Sequence, residues 1–227
     1  MAAAIVLIHS PLVGPATWGW VAEELVARGR QVTVPSLVGA AAAGNWEAYV
    51  EAAAAPARAV DDGVVLVGHS GAGPLLPLVA AATGRRPERL VFVDAGIPPA
   101  RGTMALVPDE AAAQLRGLAR DGVLPPWSEW FGPEAMVELV PDPERRRVVA
   151  AEMPRLPLWA FETRLTLPDA WPAAANGACI LLSEPYRRDA ERARTQGWPV
   201  VELLGAHLDL VARPADVAGA IDGLTTS

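Results

Sequence analysis

The sequence predicts an α/β fold: a mostly parallel sheet of about six strands, flanked by helices and interrupted by one inserted helical cap. Three observations carry that expectation. Short runs rich in Val, Ile and Leu recur between stretches of helical pattern. Those runs are continuously apolar rather than alternating, as strands covered on both faces are. The 227 residues, 52% hydrophobic and 20% charged, suffice for one domain with a sizeable core and room for an insertion.

Taken in chain order, Ala4–Ile8, Gln31–Val34, Val64–Val67, Leu90–Val93, Cys179–Leu182 and Val200–Leu204 read as strands. Trp18–Arg28, Asn45–Val60, Gly71–Thr83 and Arg187–Gln196 read as the helices between them. Pro214–Leu224 reads as a terminal helix with Pro214 in its first turn. The rhythm stops between Gly96 and Gly177, where about eighty residues carry no convincing strand pattern. Pro108–Asp121 and Asp142–Met153 look helical there, the second with Asp142 as N-cap and Pro143 at the first helical position. A structureless excursion of that length is uncommon in a compact domain. The expected division is therefore a core of residues 1–95 and 177–227 and a helical cap of residues 96–176. Trp127, Trp130 and Trp159 lie in that cap and offer apolar faces to a substrate.

Composition removes several enzyme classes. All 19 basic residues are arginine, so Schiff-base, pyridoxal, Walker-loop and kinase chemistry, each needing a lysine amine, are excluded. Cys179 stands alone, without a partner for a disulfide or a thiolate metal cluster. Only His9, His69 and His207 are available, too scattered to suggest a multi-histidine metal site. A net charge of −7 argues against nucleic acid or an anionic membrane as partner, leaving a small-molecule substrate and no cofactor as the expectation. Oligomeric state is not legible. The apolar run opening the sequence lacks a basic n-region and stops at His9, too short for a secretory signal, so a cytoplasmic location is expected. Gly63 to Gly84 carries no charge and has the length of a membrane span. The cluster Gly68-His69-Ser70-Gly71, with Gly73, Pro74 and Pro77 behind it, breaks that stretch into a strand, a tight turn and a helix.

The chemistry concentrates at that turn. A buried strand, Val64-Val65-Leu66-Val67, runs into Gly68-His69-Ser70-Gly71-Ala72 and then an apolar helix. A strand–turn–helix of small residues would hold Ser70 Oγ up at the sheet edge, with the Gly71 N–H facing an oxyanion. Ala72 replaces the last glycine of Gly-x-Ser-x-Gly, a tolerable change. Two rival readings of the glycines are a dinucleotide turn and simple helix–strand packing. The first has the wrong spacing, lies on the third strand, and lacks the lysine of a Tyr-x-x-x-Lys pair. A serine nucleophile needs a base. His69 adjoins Ser70 and should point elsewhere, and His9 ends the first strand. His207 follows the sixth strand, on the edge where Ser70 is presented. A structural His207 capping the last helix is the alternative.

The run Ile5-Val6-Leu7-Ile8-His9-Ser10, Trp18, Gly68-His69-Ser70-Gly71-Ala72-Gly73 and Gly205-Ala206-His207 resembles the α/β-hydrolase superfamily. The short, capped esterases, lactonases and hydroxynitrile lyases are the most similar group. The resemblance implies Ser70 as nucleophile and His207 as general base. Two positions depart from the pattern. Tyr186, in Ser183-Glu184-Pro185-Tyr186, stands where the family's acid is expected. The acid is then either Asp94, at the end of Phe92-Val93-Asp94, or Glu184; the cost of burying an unpartnered carboxylate favours Asp94. A purely structural Asp94 is the alternative. Pro11, which has no N–H, occupies the family's second oxyanion position, leaving Leu12 or the Ser10 hydroxyl to act beside Gly71. The expected function is a serine hydrolase of a small or medium apolar ester, lactone or thioester. The alternatives are a non-hydrolytic lyase or cyclase using Ser70 and His207 in acid–base work, and a non-catalytic binding protein of the same fold.

Overall fold

The computed structural model describes residues 3–60, 63–107, 109–169, 171 and 176–225. In chain order the described strands are β1 (Ala4–Ile8), β2 (Val32–Thr33), β3 (Val64–His69), β4 (Arg89–Val93), β5 (Thr103–Met104), β6 (Val123–Leu124), β7 (Leu156–Pro157), β8 (Leu165–Thr166), β9 (Gly177–Leu181) and β10 (Val200–Glu202). Six of them form the central sheet in the order β10-β9-β4-β3-β1-β2, and every neighbouring pair is parallel. Parallel pairing sends each connection back across a face, so helices cover both. One face packs Ile5, Leu7, Val65, Val67 and Ile180 against Trp18, Leu25 and Ile221. The other packs Val6, Ile8, Leu66, Phe92 and Leu181 against Tyr49, Val79 and Ala190. Alternate residues of one strand thus enter two separate cores, which is why the strands read as unbroken apolar runs.

The elements differ from expectation mostly at their ends. β2 shrinks to Val32–Thr33: it is an edge strand paired only with β1, and Pro35 follows it without an N–H to offer. β3 runs on to His69, which pairs with Val93 of β4. The helix expected over Gly71–Thr83 is two pieces, a 3-10 turn Ser70–Leu75 and an α-helix Leu76–Ala82. Pro74, without an N–H, keeps the first turn from joining a continuous α-helical ladder. The helix Trp46–Arg58 starts where Asn45 Oδ1 accepts from Ala48 N at 3.0 Å. No helix among the described residues is long and apolar enough to cross a membrane.

Between β4 and β9 the chain carries the helices Asp109–Leu118, Pro133–Leu139, Pro143–Ala151 and Trp159–Glu162. Asp142 caps the third of these, accepting from Arg145 N at 2.8 Å, with Pro143 at the first position as read from the sequence. The expected helix over 108–121 is shorter: Pro108 lies outside the described residues, and a turn at Asp121 and Gly122, both with positive φ, follows the helix end. The expectation of a strandless segment is corrected. β5 pairs with β8 and β6 with β7, both antiparallel. Each is two residues long, too short for a period of two to register. Trp171 also belongs to this segment. It is buried, its indole N–H donates to Pro99 O at 2.7 Å, and it packs on Phe92 and Trp198, tying the segment back to the sheet.

Candidate active site

Strand register builds the site. Because His69 pairs with Val93, the next residues, Ser70 and Asp94, leave adjacent strands side by side at the carboxyl edge. Both turn sharply there, with φ of 55° at Ser70 and 43° at Asp94, a region side chains rarely occupy. The turn after β3 also presses on β4's exit. A Cβ on Gly73 would stand 2.5 Å from Gly96 O and 2.8 Å from Ala95 Cβ, so only glycine fits.

His207 enters from the loop after β10. That loop is braced by Asp209, whose Oδ2 accepts from Ala206 N at 2.9 Å and pairs with Arg213. His207 Nδ1 lies 2.7 Å from Asp94 Oδ2, and Nε2 lies 3.0 Å from Ser70 Oγ. A carboxylate can only accept, so Nδ1 carries the proton and Nε2 offers its lone pair to the serine hydroxyl. Asp94 is fully buried yet well satisfied. Oδ1 accepts from Leu182 N at 2.9 Å and Ser183 N at 2.8 Å, and Oδ2 also accepts from Ser183 Oγ. Burial by itself would raise its carboxyl pKa. The hydrogen bonds from His207 and Ser183, with the charge of His207, outweigh that and hold the group below the ordinary range, hence ionised. Glu184 is exposed, both its oxygens taken by Arg187 Nε at 2.8 and 2.9 Å. The turn after β9 thus serves Asp94 through Leu182 and Ser183.

The other two histidines are buried and neutral. His9 Nδ1–H donates to Ser10 O at 2.8 Å while Nε2 accepts from Leu37 N at 2.9 Å, which fixes the tautomer. Burial pushes its pKa down to about 4. His69 Nε2–H donates to His207 O at 3.0 Å, and burial, then neighbouring His207, push it down to about 3. These shifts set a stability prediction. Both folded values lie below the ordinary 6.5, so unfolding takes up a proton at each ring once the pH falls below 6.5. The stabilisation is complete above 6.5 and drains away down to about 4 for His9 and about 3 for His69. Thermal melts from pH 7 to 5 should show the midpoint falling steadily; a flat midpoint would overturn the neutral assignment.

A small cavity of about 10 Å³ opens onto the serine, lined by Ser10, Leu12, Val13, His69, Ser70, Trp127, His207 and Leu208. A Cβ on Gly71 would stand 3.0 Å from Ser10 Oγ, so the Ser10 hydroxyl lies close beside the Gly71 backbone. Leu12 N–H is engaged by Ser10 Oγ at 3.3 Å. Of Trp127, Trp130 and Trp159, only Trp127 borders this cavity, its ring edge-on to His207 with centroids 6.2 Å apart. Trp130 packs on Phe161 and donates to Pro125 O. Trp159 packs on Trp46 and lines a separate cavity of about 550 Å³ that shares no residue with the serine's. Ser70 and His207 line the smaller cavity and not the larger one. Among the described residues no three His, Cys, Asp or Glu side chains group as metal ligands.

The family model described as "Alpha/beta hydrolase family" matches residues 5–220. The chain belongs to the alpha/beta hydrolase family. Solved structures repeat the fold of this hydrolase-family chain over its whole length. An extracellular alpha/beta-hydrolase from a Paenibacillus species superimposes with a TM-score of 0.78 at 20% identity, covering 99% of this chain and 100% of its own. Polyneuridine aldehyde esterase gives 0.75 at 16%, covering 99% of each chain. Tomato methylketone synthase I in complex with 2-tridecanone gives 0.75 at 14%, covering 100% and 98%. A search of curated protein sequences finds no match.

Proposed function

We propose that this alpha/beta hydrolase is a serine hydrolase of small or medium apolar esters, lactones or thioesters. The observation that carries the reading is the hydrogen-bonded line from Ser70 Oγ through His207 to the buried, ionised Asp94. In the reaction Ser70 Oγ attacks the substrate carbonyl as its proton passes to His207 Nε2, and His207 returns that proton to the leaving oxygen or sulfur. Water then attacks the acyl-serine by the same route. Asp94 holds the imidazole in the required tautomer and faces the imidazolium that forms.

The oxyanion would lie between the Gly71 N–H and the Ser10 hydroxyl. Pro11 has no N–H to give, but Ser10 Oγ already accepts from Leu12 N–H, which leaves its own proton to donate. Residues 96–176 act as the cap, with Trp127 roofing the site and setting substrate fit. The names of the similar structures, an esterase and a synthase among them, suit this fold and leave the reaction to the site.

The test is intact mass after exposure to a fluorophosphonate, followed by peptide mapping. A single adduct on Ser70 is expected, and a His207→Ala variant should not acquire it. A protein that stays unlabelled would match the non-catalytic binding reading. Trapping an acylated Ser70 from a p-nitrophenyl ester separates hydrolysis from acid–base lyase or cyclase chemistry, which forms no such adduct.

A further inference from the structure

The residue standing where the family's acid would be is itself at the reacting atom. Tyr186 OH lies 3.3 Å from Ser70 Oγ, and its ring stacks on the His207 imidazole with centroids 5.1 Å apart and planes within 7°. Its position is fixed from behind. It closes the 3-10 turn Glu184–Tyr186 through Tyr186 N–H to Ser183 O at 3.2 Å, and Ser183 is bound to Asp94 by both its N–H and its hydroxyl. The residue that holds the carboxylate therefore also holds the tyrosine.

Donor and acceptor roles follow from the far end of the chain of hydrogen bonds. Asp94 accepts from His207 Nδ1–H, so Nε2 accepts from Ser70, and the only proton of Ser70 Oγ is then engaged. Between the two hydroxyls, Tyr186 must be the donor. Burial raises the phenol's pKa, so it keeps the proton it donates.

We propose that Tyr186 is a catalytic residue whose hydroxyl donates to Ser70 Oγ, giving a line of four residues joined by three hydrogen bonds that all point one way, Tyr186 to Ser70 to His207 to Asp94. This rests on the serine hydrolase reading. The phenol fills a serine lone pair and so turns the serine proton onto Nε2. When that proton moves to Nε2, the phenol faces the negative charge growing on Oγ until the bond to the acyl carbon takes up the electron pair. When the bond between Oγ and the acyl carbon breaks, the pair returns to Oγ, which meets the same donor and regains its proton from His207. Tyr186 keeps its own proton throughout.

The experiment compares fluorophosphonate labelling rates of the wild type, Tyr186→Phe, which keeps the stacked ring, and Tyr186→Leu, which loses it. Circular dichroism and melting temperature show that each variant is folded. Tyr186→Phe should label Ser70 about three- to tenfold more slowly, the worth of one hydrogen bond, with its melting temperature near that of the wild type. If Tyr186→Phe labels as fast as the wild type and only Tyr186→Leu is slow, the residue is packing and the proposal is overturned. A wild type that does not label at all removes the hydrolase reading, and this proposal with it.

Discussion

Ser70→Ala and His207→Ala should each lower ester turnover by about 10⁴-fold or more, and the double variant should fall little below either single one. The reason is their direct contact. With Oγ 3.0 Å from Nε2, the serine is a nucleophile only while the imidazole takes its proton, and in the acylation step the imidazole acts only through that proton. Removing either therefore removes the same step. The residual rate would come from the Gly71 N–H and Ser10 hydroxyl. Turnover measured at saturating substrate for both single variants and the double completes the cycle. Losses that multiply would mean the two side chains act in separate steps, and the line from Ser70 to His207 would have to be abandoned.

Asp94→Asn should cost about 10³–10⁴-fold in kcat, while Glu184→Gln should leave it near wild type. The asparagine would keep the size of the side chain but present an amide. With its carbonyl oxygen accepting from Leu182 and Ser183 N–H, its NH₂ would face His207 Nδ1 and turn the imidazole to the wrong tautomer. Glu184 has only Arg187 to lose, in an exposed ion pair of small worth. Circular dichroism on both variants keeps folding apart from chemistry. A collapse in Glu184→Gln with an active Asp94→Asn would reverse the assignment, and two active variants would remove the carboxylate from the mechanism altogether.

Much of this arrangement can be read from local sequence, because its signals are local. A short apolar strand, a run of small residues and an apolar helix point to a raised Ser70 without any knowledge of neighbours. His207 follows from scarcity: of three histidines, one sits beside the serine and one ends the first strand. Register is different. That His69 faces Val93, and so brings Ser70 beside Asp94, depends on how β3 and β4 slide against each other, which neither strand encodes alone. The choice between Asp94 and Glu184 stays open in the sequence for that reason. Tyr186 is visible there only as a missing aspartate, since its stack on His207 joins residues far apart in the chain. The tryptophans divide by face: Trp127 packs toward the core of Trp18 and Leu25, Trp130 and Trp159 toward that of Tyr49 and Phe92. Nothing in a proline-rich segment announces which face a ring will meet.

Two of these side chains stand on backbone that resists them. With φ of 55° and 43°, Ser70 and Asp94 each occupy a conformation that costs a residue with a Cβ about 1 kcal/mol or more and glycine almost nothing. A glycine would relieve that strain at position 70, at the loss of the hydroxyl's bonds to His207 and Tyr186. The strain of keeping serine is offset by the rest of the fold, in the two apolar layers that grip β3 and β4. On the proposed mechanism the molecule carries its activity as a standing debt against its stability, since the serine that would do the chemistry is held on backbone glycine would occupy without strain.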